Sequence, residues 1–496
     1  MLFNSLEFLI FFPVVIGVCF ILPARVRYIW LLIASYYFYM CWNAKYALLL
    51  LFSTAVTYGS GVLMARAGQR QDARAVRYKK LCVAGSFILN LSVLFFFKYF
   101  DFAFNNLARL LAYWHIQLHR PAFDVLLPVG ISFYTFQALS YTMDVYRGDV
   151  EPERNFLRYA LFVSFFPQLV AGPIERSKNL LRQLAKPPRP DVDRLRDGVL
   201  LMLWGYFLKV VLADRIAIVV DTVYNDPVTY GGWYLIVATV LFAFQIYCDF
   251  AGYSTIAMGA AGMLGVELME NFNAPYLSRS VGEFWRRWHI SLSSWFRDYL
   301  YIPLGGNRKG RLRKYFNLMT VFLVSGLWHG AYWHYVAWGG LNGLFQVIGE
   351  VTKPARDRLV KVLGLHRESL GHQVLQMLIT FVLVDFAWIF FRAAGFIKGL
   401  HMVESMVTVH NPWILFDGSL FKCGLDQKNF HLMVICIAGL LAADLCKYRG
   451  VSIRQVISRQ DAWVRWLVFS VSVCFILLVG IWGPGYNEAN FIYFQF

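Results

Sequence analysis

Apolar runs separated by short polar connections recur along the entire chain, at 6–22, 28–42, 46–64, 81–99, 198–219, 232–264, 374–391, 431–446 and 466–482. Several approach the roughly 20 residues that a helix needs to cross a hydrocarbon core. In lipid the backbone must satisfy its own hydrogen bonds, so such segments are helical. The pattern predicts an all-α polytopic integral membrane protein with about 10–12 transmembrane helices. The first run has no basic stretch before it, and Pro23-Ala24-Arg25 does not resemble a cleavage site, so it reads as a helix rather than a signal peptide.

No hydrophilic stretch is long enough for a separate soluble domain, so 1–496 reads as one membrane domain. Residues 1–120 carry few embedded charges and read as scaffold helices. The texture changes over 125–395, where prolines, glycines and polar residues interrupt the apolar surroundings; 396–496 adds further helices and an aromatic tail. Ser132, Gln137, Ser140 and Asp144 sit in one apolar helix; FPQLVAGPIER (166–176) is too broken by proline and glycine to cross as one straight helix. A third segment, 245–265, sets Gln245, Asp249, Tyr253 and Ser254 together before a run of small residues. Polar groups inside a membrane face a bundle interior or a wet cavity. Each taken singly fits an interhelical hydrogen bond; their concentration predicts a central chamber lined by Gln245, Asp249 and Tyr253, with short re-entrant and interfacial helices around it.

Composition agrees: 58% of residues are hydrophobic and 16% charged, against about 25% charged in soluble domains. The formal net charge of +17 does not point to nucleic acid, because most of the basic residues lie in 23–27, 66–80, 147–197, 279–315, 353–369 and 447–465. All are short connections between apolar runs, which is the positive-inside pattern. These connections are expected in the cytoplasm and both termini outside, and the bilayer itself is the first partner. The eight cysteines show no CxxC spacing and read as packing residues.

Against this background one histidine stands out. His329, in VFLVSGLWHGAYWHYVAWGGLNG, lies where imidazole is costly to place, and it could act as a general base or be a hydrogen-bonded core residue. The interval between the basic runs ending at Lys314 and starting at Lys353 holds two helices, each short for a full crossing. His329 is thus expected near the tip of a hairpin, about 20 Å into the membrane from the cytoplasmic side. His334 does not have metal-pair spacing to His329 and reads as structural, and no metal site is expected.

Upstream, 284–314 is too charged to span. Phe284, Trp288, Leu292, Trp295 and Tyr299 recur at helical spacing, which predicts one amphipathic helix at the cytoplasmic interface. Arg286, Arg287 and Arg297, set among tryptophans and next to Asp298, suit a phosphate-bearing ligand. At the other end, the chain closes on Phe491-Ile492-Tyr493-Phe494-Gln495-Phe496 after a Gly-Pro-Gly break. An exposed tail of that kind would be an aggregation hazard, so it is expected to pack, as a cap, a partner contact or a segment folded back into the chamber.

FWRRWHISLSSWFRDYLYIPLGGNR followed by SGLWHGAYWHYVAWGGLNG resembles the membrane-bound O-acyltransferase family. Within it the chain is similar to the bacterial branch that includes the membrane subunit of alginate O-acetyltransferase. FFPQLVAGPIER, QIYCDFAGYSTIAMGAAGMLG and the FIYFQF ending carry the likeness along essentially the whole chain. The resemblance implies acyl transfer, acetyl in this branch, from a cytoplasmic thioester to hydroxyls of an envelope polysaccharide outside a bacterial inner membrane. It implies acetyl-CoA as donor, or an acyl-carrier thioester, with no bound cofactor. An extracytoplasmic acyltransferase is the implied partner. His329 takes the position of the family's catalytic histidine, and His289 the second motif position. The donor site implied is Arg286, Arg287, Trp288, Arg297, Asp298 and Trp328. Tyr493 matches a tail tyrosine proposed as an acyl relay. D-alanyl transfer is the alternative within the family, and a flippase, polytopic with broken helices, is the alternative outside it.

Overall fold

A computed structural model describes residues 1–68, 72–120, 127–170, 172–186, 189–482 and 491–492. Of the described residues 76% are helical, with no strand among them. Six described helical stretches are long and apolar enough to cross a membrane: Ala44–Gly68, Ala73–Ala112, Trp233–Met263, Leu370–Arg392, Gln427–Tyr448 and Ala462–Val479. The remaining helices are shorter or more polar. The chain forms two compact units, one of residues 1–202 with 256–269, the other of 203–255 with 270–496.

In the first unit, α1 (Leu6–Ile21), α2 (Arg27–Met40), α3 (Ala47–Gly68), α4 (Ala73–Leu94), α5 (Phe100–Ala112) and α6 (Ile131–Arg147) follow one another. α3 packs on α4 and α6. Starts are capped as the sequence allows: Ser5 accepts from the Phe8 N–H and Asp72 from the Ala75 N–H, each satisfying an otherwise orphaned donor. The polar residues of α6 turn inward to neighbours. Gln137 donates to the Phe162 carbonyl at 2.6 Å and accepts from Gln168 at 2.9 Å, while Asp144 accepts from Ser177 at 2.8 Å. Here hydrogen bonds between segments describe Gln137 and Asp144, while Ser140 donates within its own helix to the Gln137 carbonyl at 2.7 Å. The FPQLVAGPIER segment breaks into a four-residue helix, Phe166–Leu169, between α7 (Phe156–Ser164) and α8 (Ser177–Leu184).

In the second unit, residues 233–255 of α9 (Trp233–Met263) and the two helices that follow it build the site. α10 (Val281–Arg287) starts on Ser280, whose hydroxyl accepts from the Glu283 N–H, and Glu283 reaches back to the Arg279 N–H. That S-V-G-E run has the capping-box sequence, and in space its return bond falls one residue before the cap, on Arg279. The single amphipathic helix expected over this stretch is instead broken at Trp288-His289: α10 ends, His289 takes a left-handed conformation with φ +43°, and α11 (Ile290–Phe296) begins. Its aromatic stripe is not an interfacial face, since Phe284, Trp288, Leu292 and Trp295 are buried. At the break the stripe packs in protein, Trp288 lying against Phe272 at 5.0 Å and Trp388 at 5.2 Å.

α12 (Arg311–His329) and α13 (Trp333–Val351) then form a helical hairpin, and α13 packs on α14 (Leu370–Arg392). The helices of the hairpin cross backbone to backbone at Gly326 and Gly339. A methyl group added at Gly339 would sit 3.1 Å from the Gly326 Cα. Small residues permit that approach where lipid offers no hydrophobic drive between helices.

Candidate active site

His329 ends α12 at the turn of this hairpin and is 3% exposed. Its Nδ1 lies 2.7 Å from the Ser325 carbonyl oxygen. A carbonyl can only accept, so Nδ1 carries the proton, and in the neutral ring the lone pair sits on Nε2. The helix thereby sets the tautomer of its own last residue. Edge-on aromatic rings fix the plane: Trp328 and Trp338 each have centroids 4.9 Å from the imidazole, and Phe391 lies at 5.7 Å. Gly330 is required next to it for room, because a Cβ there would run into the Tyr335 ring.

His289 is fully buried, with its ring centroid 6.5 Å from that of His329. Phe250 of α9 packs against it edge-on at 4.7 Å. Its left-handed backbone is held by Asn271. The Asn271 carbonyl accepts from the Ile290 N–H at 3.0 Å, its Oδ1 accepts from the Ser291 N–H at 3.3 Å, and its Nδ2 donates to Ser254 at 3.1 Å. A left-handed non-glycine residue is strained and persists only where its surroundings hold it.

The chamber residues fall on one stripe of α9, at positions four apart. Asp249 pairs with Lys209 at 2.8 Å, and Lys209 pairs with Asp214 at the same distance. The tail meets this pair: the Ile492 N–H donates to Asp249 Oδ2 at 2.8 Å, and Phe491 stacks on Tyr253 with centroids 4.6 Å apart. Phe491 and Ile492 are buried, so these two residues lie against the α9 stripe. Gln245 lies buried on the same stripe, its Oε1 without a hydrogen-bond partner among the described residues. Tyr493 lies outside the described residues.

The donor-site residues separate. Trp288 and Trp328 belong to the buried aromatic shell, Trp288 through Trp388 at 5.2 Å and Trp388 through Trp338 at 5.6 Å. Arg287 is held by Glu283 at 3.0 Å, the Asn273 carbonyl at 3.1 Å and the Tyr448 ring at 4.9 Å. Arg286 is exposed; Arg297 is exposed and pairs with Asp298 at 2.9 Å. His334 is a core residue, its Nδ1 3.0 Å from the Phe390 carbonyl. Two parts of this site escaped the sequence reading. Lys209 and Asp214 were legible as a lone lysine and aspartate within the apolar run 198–219, where charge is costly. Asn271 had no such signal, for it lies in a connection and works through backbone contacts.

Residues 150–362 match the MBOAT, membrane-bound O-acyltransferase family. The chain is 39% identical, over 82% of its length, to the probable alginate O-acetylase of Pseudomonas aeruginosa, of which that span covers 75%. The chain belongs to the membrane-bound O-acyltransferase family. As a member it is a polytopic membrane protein with O-acyltransferase chemistry. It is also 31% identical over 100% of its length, and 98% of the relative's, to the peptidoglycan O-acetyltransferase of Helicobacter pylori. A teichoic acid D-alanyltransferase of Streptococcus thermophilus is 29% identical over 55% of this chain and 69% of that protein.

Proposed function

We propose that this acyltransferase moves an acetyl group from acetyl-CoA in the cytoplasm to hydroxyls of an extracytoplasmic envelope polysaccharide, across a bacterial inner membrane. One observation carries the reading: the Ser325 carbonyl holds the His329 proton on Nδ1 and so leaves Nε2 as the base. His329 Nε2 takes the proton of an attacking hydroxyl, the oxygen adds to the thioester carbonyl carbon, the C–S bond breaks, and the departing thiolate takes up a proton as free thiol. His289, rigid beside it, positions or polarises the reacting groups. Arg286 and Arg297, exposed in the α10–α11 segment, meet the donor's phosphates. Tyr493, directly after the anchored Phe491 and Ile492, is the first hydroxyl acylated, and a separate extracytoplasmic acyltransferase passes the group to the polymer. Acetyl is preferred to D-alanyl because the relatives named for O-acetyl transfer align over more of the chain and at higher identity.

The test is transfer from radiolabelled acetyl-CoA by the purified full chain. A positioned base contributes about 10²–10⁴-fold, so His329→Ala should lose label incorporation by that factor at an unchanged unfolding temperature. Undiminished polymer acetylation by that variant would refute the assignment. Full activity of Tyr493→Phe would remove the relay and leave a packing tail.

A further inference from the structure

The first unit holds a cavity of about 1200 Å³ lined by none of the residues assigned above to acyl transfer. Its wall is charged mostly in one sense: Arg25, Arg158, Lys186, Arg189 and Arg194 line it against the carboxylates of Asp191 and Glu267. Both carboxylates pair with Arg194, 3.7 Å from Asp191 and 3.5 Å from Glu267, and Asp191 also accepts from the Asp193 and Arg194 N–H groups. Arg158 is partly offset by Glu153 at 3.4 Å and lies over the Tyr28 ring at 5.8 Å, with its Nε buried and unbonded among the described residues. Arg25, Lys186 and Arg189 form no ion pair among the described residues.

Orientation by positive charge explains why these residues occur on one side of the membrane, but it asks nothing about where they converge. Here they converge. Arg25 comes from the α1–α2 connection, Arg158 from α7, and Lys186 and Arg189 from the connection after α8. Arg25 and the Lys186 and Arg189 connection, exposed and without ion pairs among the described residues, meet the part-paired Arg158 in one concavity; such a grouping repels itself unless an anion occupies it, and a concave wall of one sign focuses the field on such an anion. Guanidinium groups at several angles favour the tetrahedral, multiply accepting oxygens of phosphate. The volume exceeds the usual range of about 300–1,000 Å³ for small-molecule pockets, room for a diphosphate or a phospholipid headgroup rather than a simple ion.

We propose that this cavity is a binding site for a phosphate-bearing anion, with Arg25, Arg158, Lys186 and Arg189 as its ligands. The site stands whether or not the acetyl-transfer reading holds, because its argument uses none of the histidine chemistry. Its test uses the purified full chain in uncharged detergent, read by its unfolding temperature at constant ionic strength. One arm titrates sodium pyrophosphate; the other compares mixed micelles carrying phosphatidylglycerol with micelles carrying phosphatidylcholine. A saturable rise with pyrophosphate identifies a soluble phosphate ligand, and a rise with phosphatidylglycerol alone identifies a lipid headgroup. In either case Arg25→Gln/Arg189→Gln should weaken the response at least about tenfold, as loss of two charge-assisted contacts requires. Arg358→Gln/Lys361→Gln removes the same charge from an exposed helix outside the cavity and should respond as the wild type does. No rise in either arm, or equal weakening in both double variants, overturns the proposal.

Discussion

Alanine at Gly326 should open the hairpin that carries His329. A Cβ built there would point onto the Tyr335 carbonyl oxygen, 3.0 Å from the carbonyl carbon and 3.2 Å from the Val336 Cα. Ordinary carbon–carbon contact is about 3.5–4.0 Å. All three neighbours are backbone of α13, so no side chain can swing away, and α12 and α13 must part by roughly 0.5–1 Å. Overpacking of that kind costs about 1–3 kcal/mol. The ordinary effect of glycine to alanine in a helix has the opposite sign, a gain of about 1 kcal/mol, so the direction of the change alone tests the crossing. For chemistry the shift matters more, since about 1 Å of misplacement at a reacting group lowers rate by about 10²-fold. Gly340→Ala on α13, the other helix of the hairpin, is the control, for its Cβ would meet only Leu323 Cδ2 at 3.5 Å. The assay is paired: unfolding temperature of the purified chain, and acetyl transfer from labelled donor. Gly326→Ala should lower both, and Gly340→Ala neither. A Gly326→Ala protein as stable and as active as the wild type would refute the idea that this contact places His329.

Asn271→Ala keeps the backbone bond to the Ile290 N–H but removes the side-chain bonds of the clamp to the Ser291 N–H and Ser254; a loss of roughly 1–3 kcal/mol in stability and a slower transfer rate should appear together, and an unchanged rate would free His289 of that dependence. Asp249→Ala takes away the acceptor of the Ile492 N–H and one of the two anions on Lys209. Breaking a buried pair costs about 3–5 kcal/mol, and Asp214 at Lys209 should keep the loss at the low end. Carboxypeptidase should then remove residues beyond Ile492 faster than in the wild type, and equal rates would mean that Asp249 does not hold the tail. A pH effect is expected from Glu175, which lies buried in a polar connection outside the apolar spans and accepts from the Met269 N–H and from Asn179. Burial pushes its carboxyl from 4.5 to about 7. The folded state then holds the proton more tightly than the unfolded chain, so the contribution of Glu175 to stability is full below about pH 4.5 and is lost as pH rises towards 7, by about 3 kcal/mol in all. Glu175→Gln should flatten that slope in unfolding measured from pH 4.5 to 8; an unchanged slope would assign it to other groups.

The two histidines differ in how much of their setting could be read in advance. For His329, the short interval between two basic runs already implied a hairpin, because charge is excluded from the core and helix rise is constant. Its tautomer was not readable, since the partner is a backbone carbonyl and backbone carbonyls have no sequence signature. For His289 the helical spacing of aromatics was misleading. Periodicity reports which residues share a face, not whether that face meets lipid headgroups or other rings, and the break at Trp288-His289 follows from packing that periodicity does not encode. The α9 stripe lies between these cases: Gln245, Asp249 and Tyr253 share a face by spacing alone, but that Phe491 and Ile492 return to it joins residues some 240 positions apart in the chain.

Charge and hydropathy along the chain settled the class: helices in a membrane, a hairpin between basic loops, polar residues gathered after the first third. These follow from the cost of placing charge and unpaired backbone in hydrocarbon, a cost paid residue by residue and therefore visible in one dimension. The left-handed turn at His289, the glycine crossing beneath His329, the lysine between two aspartates and the convergence of arginines on one cavity depend on contacts between distant segments. Such contacts have energies only once the segments meet, and so they became visible in three dimensions alone.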